Sequence, residues 1–404
     1  MKFLRDLLDK QKPLFEKGGK LENFYYAFEA GETFLFTPKH TNAIKGAQVK
    51  DAIDLKRMMI TVVVAMIPAL LFGIYNTGHQ HFLATGQTAG LWEDFGDKLL
   101  IGLKLVLPII IVAYAAGGLV EAAFAVIRKH PINEGFLVTG MLIPLVVPAT
   151  LPLWQVALAT IFAVIVAKEV FGGTGMNILN VAMTARAFLY FAYPAQISGD
   201  QVWTYLGDKT PVDGFSGATA LAVAYNAGVD GEPVTKALAE HNTALGDGLY
   251  SFANLFMGWI PGSIGETSTL MALIGAVILI ATGVASWKII VSGFAGAYLM
   301  GLVMNLFAVN EYMAMAPEYH WVVGGLAFGI VFMATDPVSA AQTETGKWIY
   351  GLLIGMLTVI IRVTNPAYPE GIMLAVLLMN VFAPLIDYYV VKANKKRRLQ
   401  RATV

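Results

Sequence analysis

The residues best suited to chemistry form a stretch of small and hydroxylated side chains, Asp213-Gly214-Phe215-Ser216-Gly217-Ala218-Thr219. Glycine lets a backbone approach a ligand closely, because no Cβ atom stands in the way. Ser216 and Thr219 add hydroxyls, which act as nucleophiles when they are activated. An ordinary Ser/Gly turn has the same composition. The residue types alone therefore leave both an attachment site and a simple turn open.

A second polar stretch is rich in glycine and contains two amides. It runs Gly172-Gly173-Thr174-Gly175-Met176-Asn177-Ile178-Leu179-Asn180, and we expect Asn177 and Asn180 to share one face at the start of a helix. Amide side chains donate and accept hydrogen bonds without a charge, which suits the polar edge of a flat heteroaromatic ring. The alternative is a helix start capped by Asn. No Gly-Lys-Ser/Thr follows the glycines, so the stretch is not a phosphate loop.

A charge inside an apolar segment is the third candidate. Gly117-Gly118-Leu119-Val120-Glu121 places a carboxylate in a hydrophobic stretch, where inserting a charge costs at least ~2.5 kcal/mol. That cost favours a functional role for Glu121, and the glycine pair would let a flat ring reach the backbone. In the alternative, Glu121 pairs with Lys104 or Arg186, and the glycines serve helix–helix packing.

Three further carboxylates stand at the ends of apolar segments: Asp336, Asp387 and Glu266. Carboxylate oxygens suit a path for a hard cation such as sodium, although carboxylates in such places are often only solvated. The six histidines are scattered, without the spacing of metal ligands. The chain has no cysteine, which excludes disulfides, thiolate catalysis and cysteine-ligated metal sites within it.

The elements that must position these residues are membrane helices. Of the 404 residues, 56% are hydrophobic and only 14% are charged, whereas soluble domains have about a quarter charged. The apolar residues occur in blocks of roughly 18 to 25, the length of a helix that spans about 30 Å of hydrocarbon. We expect an all-α membrane protein with ten spans, at 58–75, 99–127, 136–150, 153–171, 178–194, 267–286, 289–308, 320–335, 347–364 and 371–391.

The basic residues set the expected orientation. With ten spans, 22 of the 28 Lys and Arg residues fall on one side, including 11 in residues 1–57 and six in residues 392–401. Because short cytoplasmic loops collect Lys and Arg, both termini are predicted to be cytoplasmic, which an even number of spans allows. Thr219 then falls on the outer face, whereas Asn177 and Glu121 fall on the cytoplasmic side.

This orientation divides the chain into five parts. They are a cytoplasmic N-terminal extension (1–57), a first membrane half with spans one to five (58–194), an outer loop (195–266), a second membrane half with spans six to ten (267–391) and a basic cytoplasmic tail (392–404). Two halves of five spans each would be inverted relative to one another, a common plan in transporters. A similar order of proline turn, basic residue and glycine-containing break in 148–188 and 337–382 supports such a repeat.

The stretch that ends in Thr219 resembles the Asp-x-x-Ser-Gly-Ala-Thr signature at which a dedicated transferase links FMN to threonine through a phosphoester. The signature occurs in two related membrane proteins: the subunit designated B in sodium-pumping NADH:quinone oxidoreductases and the one designated D in Rnf-type ferredoxin:NAD complexes. Similarity to the first covers nearly the whole chain, with matching motifs at 54–57, 128–130, 133–136, 171–175, 191–200, 261–266 and 334–339. The long N-terminus and residues 193–200 favour the oxidoreductase subunit over the Rnf subunit.

The resemblance implies an outer flavin and an inner flavin. Covalent FMN would be attached to Thr219, within a signature formed by Asp213, Ser216, Gly217, Ala218 and Thr219. A non-covalent riboflavin would contact Asn177 and Asn180. The implied fold is a urea-transporter-like bundle of two inverted five-helix repeats in a bacterial inner membrane.

The resemblance also assigns the quinone and ion sites. Quinone would have access near Gly117 and Gly118, and sodium would enter from the cytoplasm at Glu121, with Asp336 and Asp387 continuing its path. Electrons would pass from FMN through riboflavin to quinone, coupled to sodium translocation. The chain lacks the Gly-x-Gly-x-x-Gly fingerprint of dinucleotide binding, so the NADH site would belong to another subunit.

The implied partners are the other subunits of such a complex: an outer flavin-carrying subunit, an NADH dehydrogenase subunit and further membrane subunits. The flavin transferase and membrane lipid complete the set, and nucleic acid is not expected. Two alternatives remain open. One is the corresponding subunit of an Rnf-type complex, and the other is a passive channel or transporter for a small solute, which would give the flavin-attachment signature no purpose.

Overall fold

The computed structural model describes residues 2–26, 28–29, 32, 36, 55–87, 90–129, 132, 135–199, 202–242, 248–365 and 368–402. Within these residues every regular element is helical. Residues 37–54 of the N-terminal extension lie outside the described part, and so do the motif residues His130, Asn133, Glu134 and Asp200.

In chain order the helices are α1 (Lys2–Phe15), α2 (Leu55–Thr85), α3 (Phe95–Arg128), α4 (Phe136–Leu145), α5 (Leu153–Ala163), α6 (Val181–Ala192), α7 (Pro194–Ile197), α8 (Ala220–Asp230), α9 (Val234–Glu240), α10 (Phe252–Met257), α11 (Thr269–Ala281), α12 (Trp287–Leu306), α13 (Tyr319–Val322), α14 (Leu326–Phe328), α15 (Glu344–Thr364) and α16 (Ile372–Ala402). A short 3₁₀ turn, Glu22–Phe24, follows α1. The π-helix Val164–Lys168 and the 3₁₀ turn Glu169–Phe171 continue α5, and the π-helix Gly329–Met333 continues α14.

Six of these helices are long and apolar enough to cross a membrane by length and composition: α2, α3, α5 with its extension to Phe171, α12, α15 and α16. Helices α4, α6 and α11 are apolar but shorter. The predicted span 320–335 is not one helix, because Gly324 adopts a φ of +69° between α13 and α14. The all-helical membrane class is confirmed in the described residues, while the count of ten and the inverted repeat stay predictions.

Helices α12 and α15 contact each other backbone to backbone. A Cβ atom added at Gly355 of α15 would lie 2.0 Å from the carbonyl oxygen of Gly293 in α12. In the opposite direction, a Cβ atom at Gly296 would lie 2.2 Å from the carbonyl oxygen of Leu352. Membrane helices use such small residues for close packing, because apolar side chains gain little by leaving lipid.

The helices hold the predicted sites at opposite ends of the bundle. At one end, the backbone N–H of Val212 donates to the carbonyl oxygen of Ala84 near the end of α2, at 2.9 Å, which attaches the segment that carries Thr219. At the other end, Arg128, the last residue of α3, pairs with Glu169. Helix α3 has 34 residues, and at about 1.5 Å per residue it is roughly 50 Å long. The two ends are therefore farther apart than the thickness of the hydrocarbon layer.

Candidate cofactor and ion sites

Thr219 lies at the entrance to α8 and lines a large cavity. It is the N-cap residue of this helix, and its hydroxyl accepts a hydrogen bond from the backbone N–H of Ala222 at 3.2 Å. The cavity, called the outer cavity below, contains about 1170 Å³ of empty space, part of it open to solvent. Tyr190, Trp203 and Tyr225 contribute aromatic side chains to its wall. Its aromatic lining suits a flat aromatic ligand.

The chain before Thr219 forms a fixed turn. The backbone N–H of Ala218 donates to the hydroxyl of Ser216 at 3.3 Å, and the side-chain amide of Asn242 donates to the carbonyl oxygen of Ser216 at 3.1 Å. Gly214 has a φ of +84°, which glycine adopts without strain. Ser216 therefore takes part in the turn, whereas Thr219 lines the outer cavity. Asp213, the first residue of the signature, is exposed. The stretch is a Ser/Gly turn and presents the threonine at the same time.

A buried ion-pair network lines the outer cavity, and it is absent from the sequence predictions. The guanidinium of Arg186 donates to the carboxylates of both Glu266 and Glu370. Burial raises the pKa of Glu266 to about 7, although the neighbouring Arg186 acts in the opposite direction. The sequence contains one indication of this network, because Arg186 is a charged residue inside the apolar stretch that forms α6. The alternative in which Arg186 pairs with Glu121 is wrong, because Arg186 pairs with Glu266 and Glu370.

The inner cavity contains about 840 Å³ of empty space, part of it open to solvent, and is lined by both Asn177 and Asn180. The prediction that these residues share a face of a helix is wrong, because α6 begins only at Val181. Gly172, Gly173 and Gly175 have φ values of +123°, +96° and +86° and keep the preceding chain out of a helix. The two amides nevertheless meet at one cavity.

The predicted alternative for this stretch, a helix start capped by Asn, is confirmed for Asn180. Its side-chain oxygen accepts a hydrogen bond from the backbone N–H of Met183 at 3.1 Å. Asn177 donates from its side chain to the carbonyl oxygen of Leu179 at 3.2 Å. Capping and lining of the cavity are compatible, because a cap occupies only the carbonyl oxygen of the amide group.

Glu121 is buried and pairs with Lys168, the last residue of the π-helix that extends α5. Neither Lys104 nor Arg186, the partners weighed from the sequence, takes this place. Lys168 also lines the inner cavity. The structure thus connects the predicted ion-uptake residue with the predicted inner flavin site. Proximity in the sequence could not reveal the pair, whose members are 47 positions apart.

The two glycines before Glu121 have different surroundings. A Cβ atom at Gly117 would lie 2.0 Å from the ring of Phe136, so this glycine is needed for the packing of α3 on α4. A Cβ atom at Gly118 would have no atom of the described chain within 4 Å. The packing alternative therefore holds for Gly117, whereas Gly118 leaves an open surface on α3.

The carboxylates of Asp336 and Asp387 both accept hydrogen bonds. Asp336 accepts from the backbone N–H of Val338 and from the hydroxyl of Ser339, both at 3.0 Å, and it lines the inner cavity. Asp387 of α16 accepts from the backbone N–H groups of Gln342 and Thr343 at 2.6 and 2.9 Å. It lies before the first turn of α15, where the helix dipole favours an anion. Asp336 is close to the predicted flavin contacts, but Asp387 lines neither cavity.

The fold and its sites define an all-helical, multi-span membrane protein with two cavities that meet at α6: Val181 and Ala182 line the inner cavity, and Arg186 and Tyr190 line the outer cavity. Residues 43–396 match the NQR2, RnfD, RnfE family. The chain therefore belongs to this family.

Curated relatives match over almost their full length. One is the subunit designated B of the Na(+)-translocating NADH-quinone reductase of Stutzerimonas stutzeri, which is 47% identical over 98% of this chain and 99% of its own length. Proteins of the same name from Chromohalobacter salexigens and Pseudomonas aeruginosa are also 47% identical over 98% of this chain, covering 96% and 99% of their own lengths.

Proposed function

We propose that this chain is the membrane subunit of a sodium-pumping NADH:quinone oxidoreductase that passes electrons from covalent FMN through riboflavin to quinone. Relatives 47% identical over nearly their whole length carry the name of this complex. The observation that supports the electron path most directly is the position of Thr219, a helix N-cap whose side chain lines a cavity of about 1170 Å³.

The outer cavity fits an FMN attached to Thr219. A phosphoester on this hydroxyl would stand at the N-terminus of α8, an 11-residue helix whose first N–H groups and dipole favour an anion. The rings of Tyr190, Trp203 and Tyr225 offer surfaces for stacking. The flavin, when bound, supplies the ability to accept and release electrons. The protein contributes the anchor and the stacking surface, and Arg186 neutralises the carboxylates of Glu266 and Glu370 in the cavity wall.

The inner cavity fits a flavin without a phosphate. Asn177 and Asn180 offer uncharged donors and acceptors, and the glycine-rich turn before them carries no phosphate-binding lysine. We assign the non-covalent riboflavin to this cavity. Ala182 of the inner cavity and Arg186 of the outer cavity are one helical turn apart on α6, about 6 Å along the helix, so an electron that passes between the cavities would follow α6.

Quinone and sodium are assigned to the cytoplasmic side. The open surface at Gly118 would admit the quinone ring, while Gly117 maintains the packing beneath it. Glu121, Asp336 and Asp387 form the sodium path in this proposal. Electron arrival in a low-dielectric interior favours a compensating cation, which couples the two movements.

In this proposal the chain lies in a bacterial inner membrane with both termini in the cytoplasm, as the basic residues indicate. The NADH site and the flavin that reduces FMN belong to partner subunits. A flavin transferase loads Thr219 from the outer face.

The first experiment tests the covalent flavin. The chain is expressed with its flavin transferase, denatured in SDS and examined for in-gel flavin fluorescence. We expect fluorescence in the wild type and in Ser251→Ala but none in Thr219→Ala. Ser251 is a matched control. It is also a hydroxylated N-cap residue, of α10, and it lies in the outer loop (195–266) but outside the signature that ends in Thr219.

The result separates the candidate functions. A wild-type chain without flavin, in cells with an active transferase, contradicts the redox function and favours the small-solute channel. A covalently flavinylated chain leaves the choice between the quinone reductase and the Rnf-type complex. Reduction of quinone by NADH in the purified complex supports the first, and dependence on ferredoxin supports the second.

A further inference from the structure

Lys168 connects Glu121 with the inner cavity, and the proposed function treats these two sites separately. Its ammonium group pairs with Glu121, and the two side chains are only 4% and 6% exposed. Lys168 also lines the inner cavity, together with Asn177 and Asn180. Among the described residues that line this cavity, Asp336 carries the only other charge. Lys168 is therefore the positive charge that both Glu121 and the contents of the cavity can attract.

The pair occupies a place where charges interact strongly. Water is largely excluded from both side chains, and the attraction between charges is much stronger in such surroundings than in solvent. A buried pair is stable only while each charge keeps a partner, because an isolated buried charge carries a large desolvation cost. New negative charge in the cavity would compete with Glu121 for Lys168. A sodium ion would compete with Lys168 for Glu121.

We propose that Lys168 is a positioning residue that couples charge in the inner cavity to cation binding at Glu121. When negative charge develops in the cavity, the ammonium group moves towards it, and the carboxylate of Glu121 accepts a sodium ion in its place. No covalent bond changes in this step. The electron comes from NADH through the partner subunits, and one sodium ion balances its charge. The inference rests on the proposed riboflavin site and names the residue through which that site acts on the ion path.

The test uses the purified complete complex with the variants Lys168→Met and Glu121→Gln. Two quantities are measured: the midpoint potential of the non-covalent flavin, and the sodium concentration that gives half-maximal quinone reduction. Lys168→Met removes a positive charge from the cavity wall. We expect the affinity for reduced flavin relative to oxidised flavin to fall about tenfold, which is a decrease of about 59 mV for a one-electron couple. Glu121→Gln removes the competing carboxylate and is expected to raise the potential.

The two variants should also change sodium affinity in opposite directions. In Lys168→Met, Glu121 loses the ammonium group that competes with sodium, so we expect the half-saturating sodium concentration to fall about tenfold. In Glu121→Gln it should rise. A purely structural ion pair would not produce tighter sodium binding when one member is removed.

The pair Lys288–Glu344 provides the control. It joins the start of α12 to the start of α15, its side chains are 25% and 65% exposed, and neither residue lines the inner cavity. Solvent screens such charges, so Lys288→Gln should leave the flavin potential and the sodium requirement close to those of the wild type.

The outcomes distinguish failure of the proposed role of Lys168 from failure of the proposed function of the chain. Bound riboflavin with wild-type potential and wild-type sodium requirement in Lys168→Met overturns the role of Lys168 and leaves the proposed function intact. Absence of riboflavin from the wild-type complex overturns the proposed function instead. If Lys168→Met does not retain its flavin, Glu121→Gln decides, and an unchanged potential in that variant overturns the coupling.

Discussion

The phenolic hydroxyl of Tyr250 donates a hydrogen bond to the carbonyl oxygen of Ala218, the residue immediately before Thr219. Tyr250 is completely buried, and its ring stacks on His241 with the centroids 5.2 Å apart. The adjacent Asn242 donates to the carbonyl oxygen of Ser216. The turn that presents the proposed flavin attachment residue is thus held by side chains that come well after it in the chain.

Tyr250→Phe should reduce flavin attachment without abolishing it. The substitution leaves a buried carbonyl group without its partner, which costs about 1–3 kcal/mol and loosens the turn. The measurement is the ratio of in-gel flavin fluorescence to protein after a fixed time with the transferase. Tyr298→Phe in α12, outside the outer loop (195–266), is the control. Attachment at the wild-type rate in Tyr250→Phe would show that the hydrogen bond does not position Thr219.

The glycine pair in α3 should respond differently at its two positions. Gly117→Val places a side chain against the ring of Phe136, and we expect the complex to assemble poorly and to unfold at lower temperature. Gly118→Val meets no atom of the described chain within 4 Å, so the complex should assemble normally. Its KM for quinone should rise severalfold if the ring binds there. An unchanged KM in an assembled Gly118→Val complex argues against quinone access at this surface.

Arg186→Gln should destabilise the chain strongly. It leaves the buried carboxylate of Glu266 and the partly buried carboxylate of Glu370 without their shared counter-charge, and breaking a buried pair typically costs about 3–5 kcal/mol. Thermal unfolding of the complex in detergent measures the effect. Lys288→Gln, which breaks a pair with the exposed Glu344, should leave the unfolding temperature nearly unchanged. Equal unfolding temperatures for the two variants would mean that the network contributes little.

The two properties of Asn180 can be separated by substitution. Asn180→Ser keeps a good helix cap but removes the amide, so we expect loss of riboflavin with a nearly unchanged unfolding temperature. Asn180→Ala removes the helix cap and the amide, so we expect loss of riboflavin together with about 1 kcal/mol of stability. Riboflavin is quantified after acid extraction of the purified complex. Full riboflavin content in Asn180→Ser would restrict this residue to capping α6.

Asp387 can be tested against its partner Thr343. Asp387→Asn removes the carboxylate charge, whereas Thr343→Val keeps that charge and removes a hydroxyl that donates to it and that also caps α15 by accepting from the backbone N–H of Gly346. If Asp387 belongs to the sodium path, the half-saturating sodium concentration should rise severalfold in Asp387→Asn and change little in Thr343→Val. A loss of stability in both variants with an unchanged sodium requirement would assign Asp387 to the anchoring of α15 alone.

Much of the molecule could be predicted from the sequence, because the relevant properties are local. Hydropathy blocks identify apolar helices wherever they occur: six of the ten predicted spans correspond to helices long enough to cross a membrane, and three correspond to shorter apolar helices. The exception, 320–335, contains Gly324, whose positive φ depends on the surrounding packing. The signature that ends in Thr219 and the amides Asn177 and Asn180 were also visible, because motifs are read along the chain.

The partners of the buried charges were decided only by tertiary structure. From the sequence, Glu121 could pair with Lys104 or Arg186, but the π-helix places Lys168 beside it, and Arg186 lies with Glu266 and Glu370 instead. The backbone preferences of one segment do not determine which helices become neighbours. Ion pairs between distant segments depend on that packing, and the desolvation cost of a buried charge then allows only the arrangements in which each charge finds a partner.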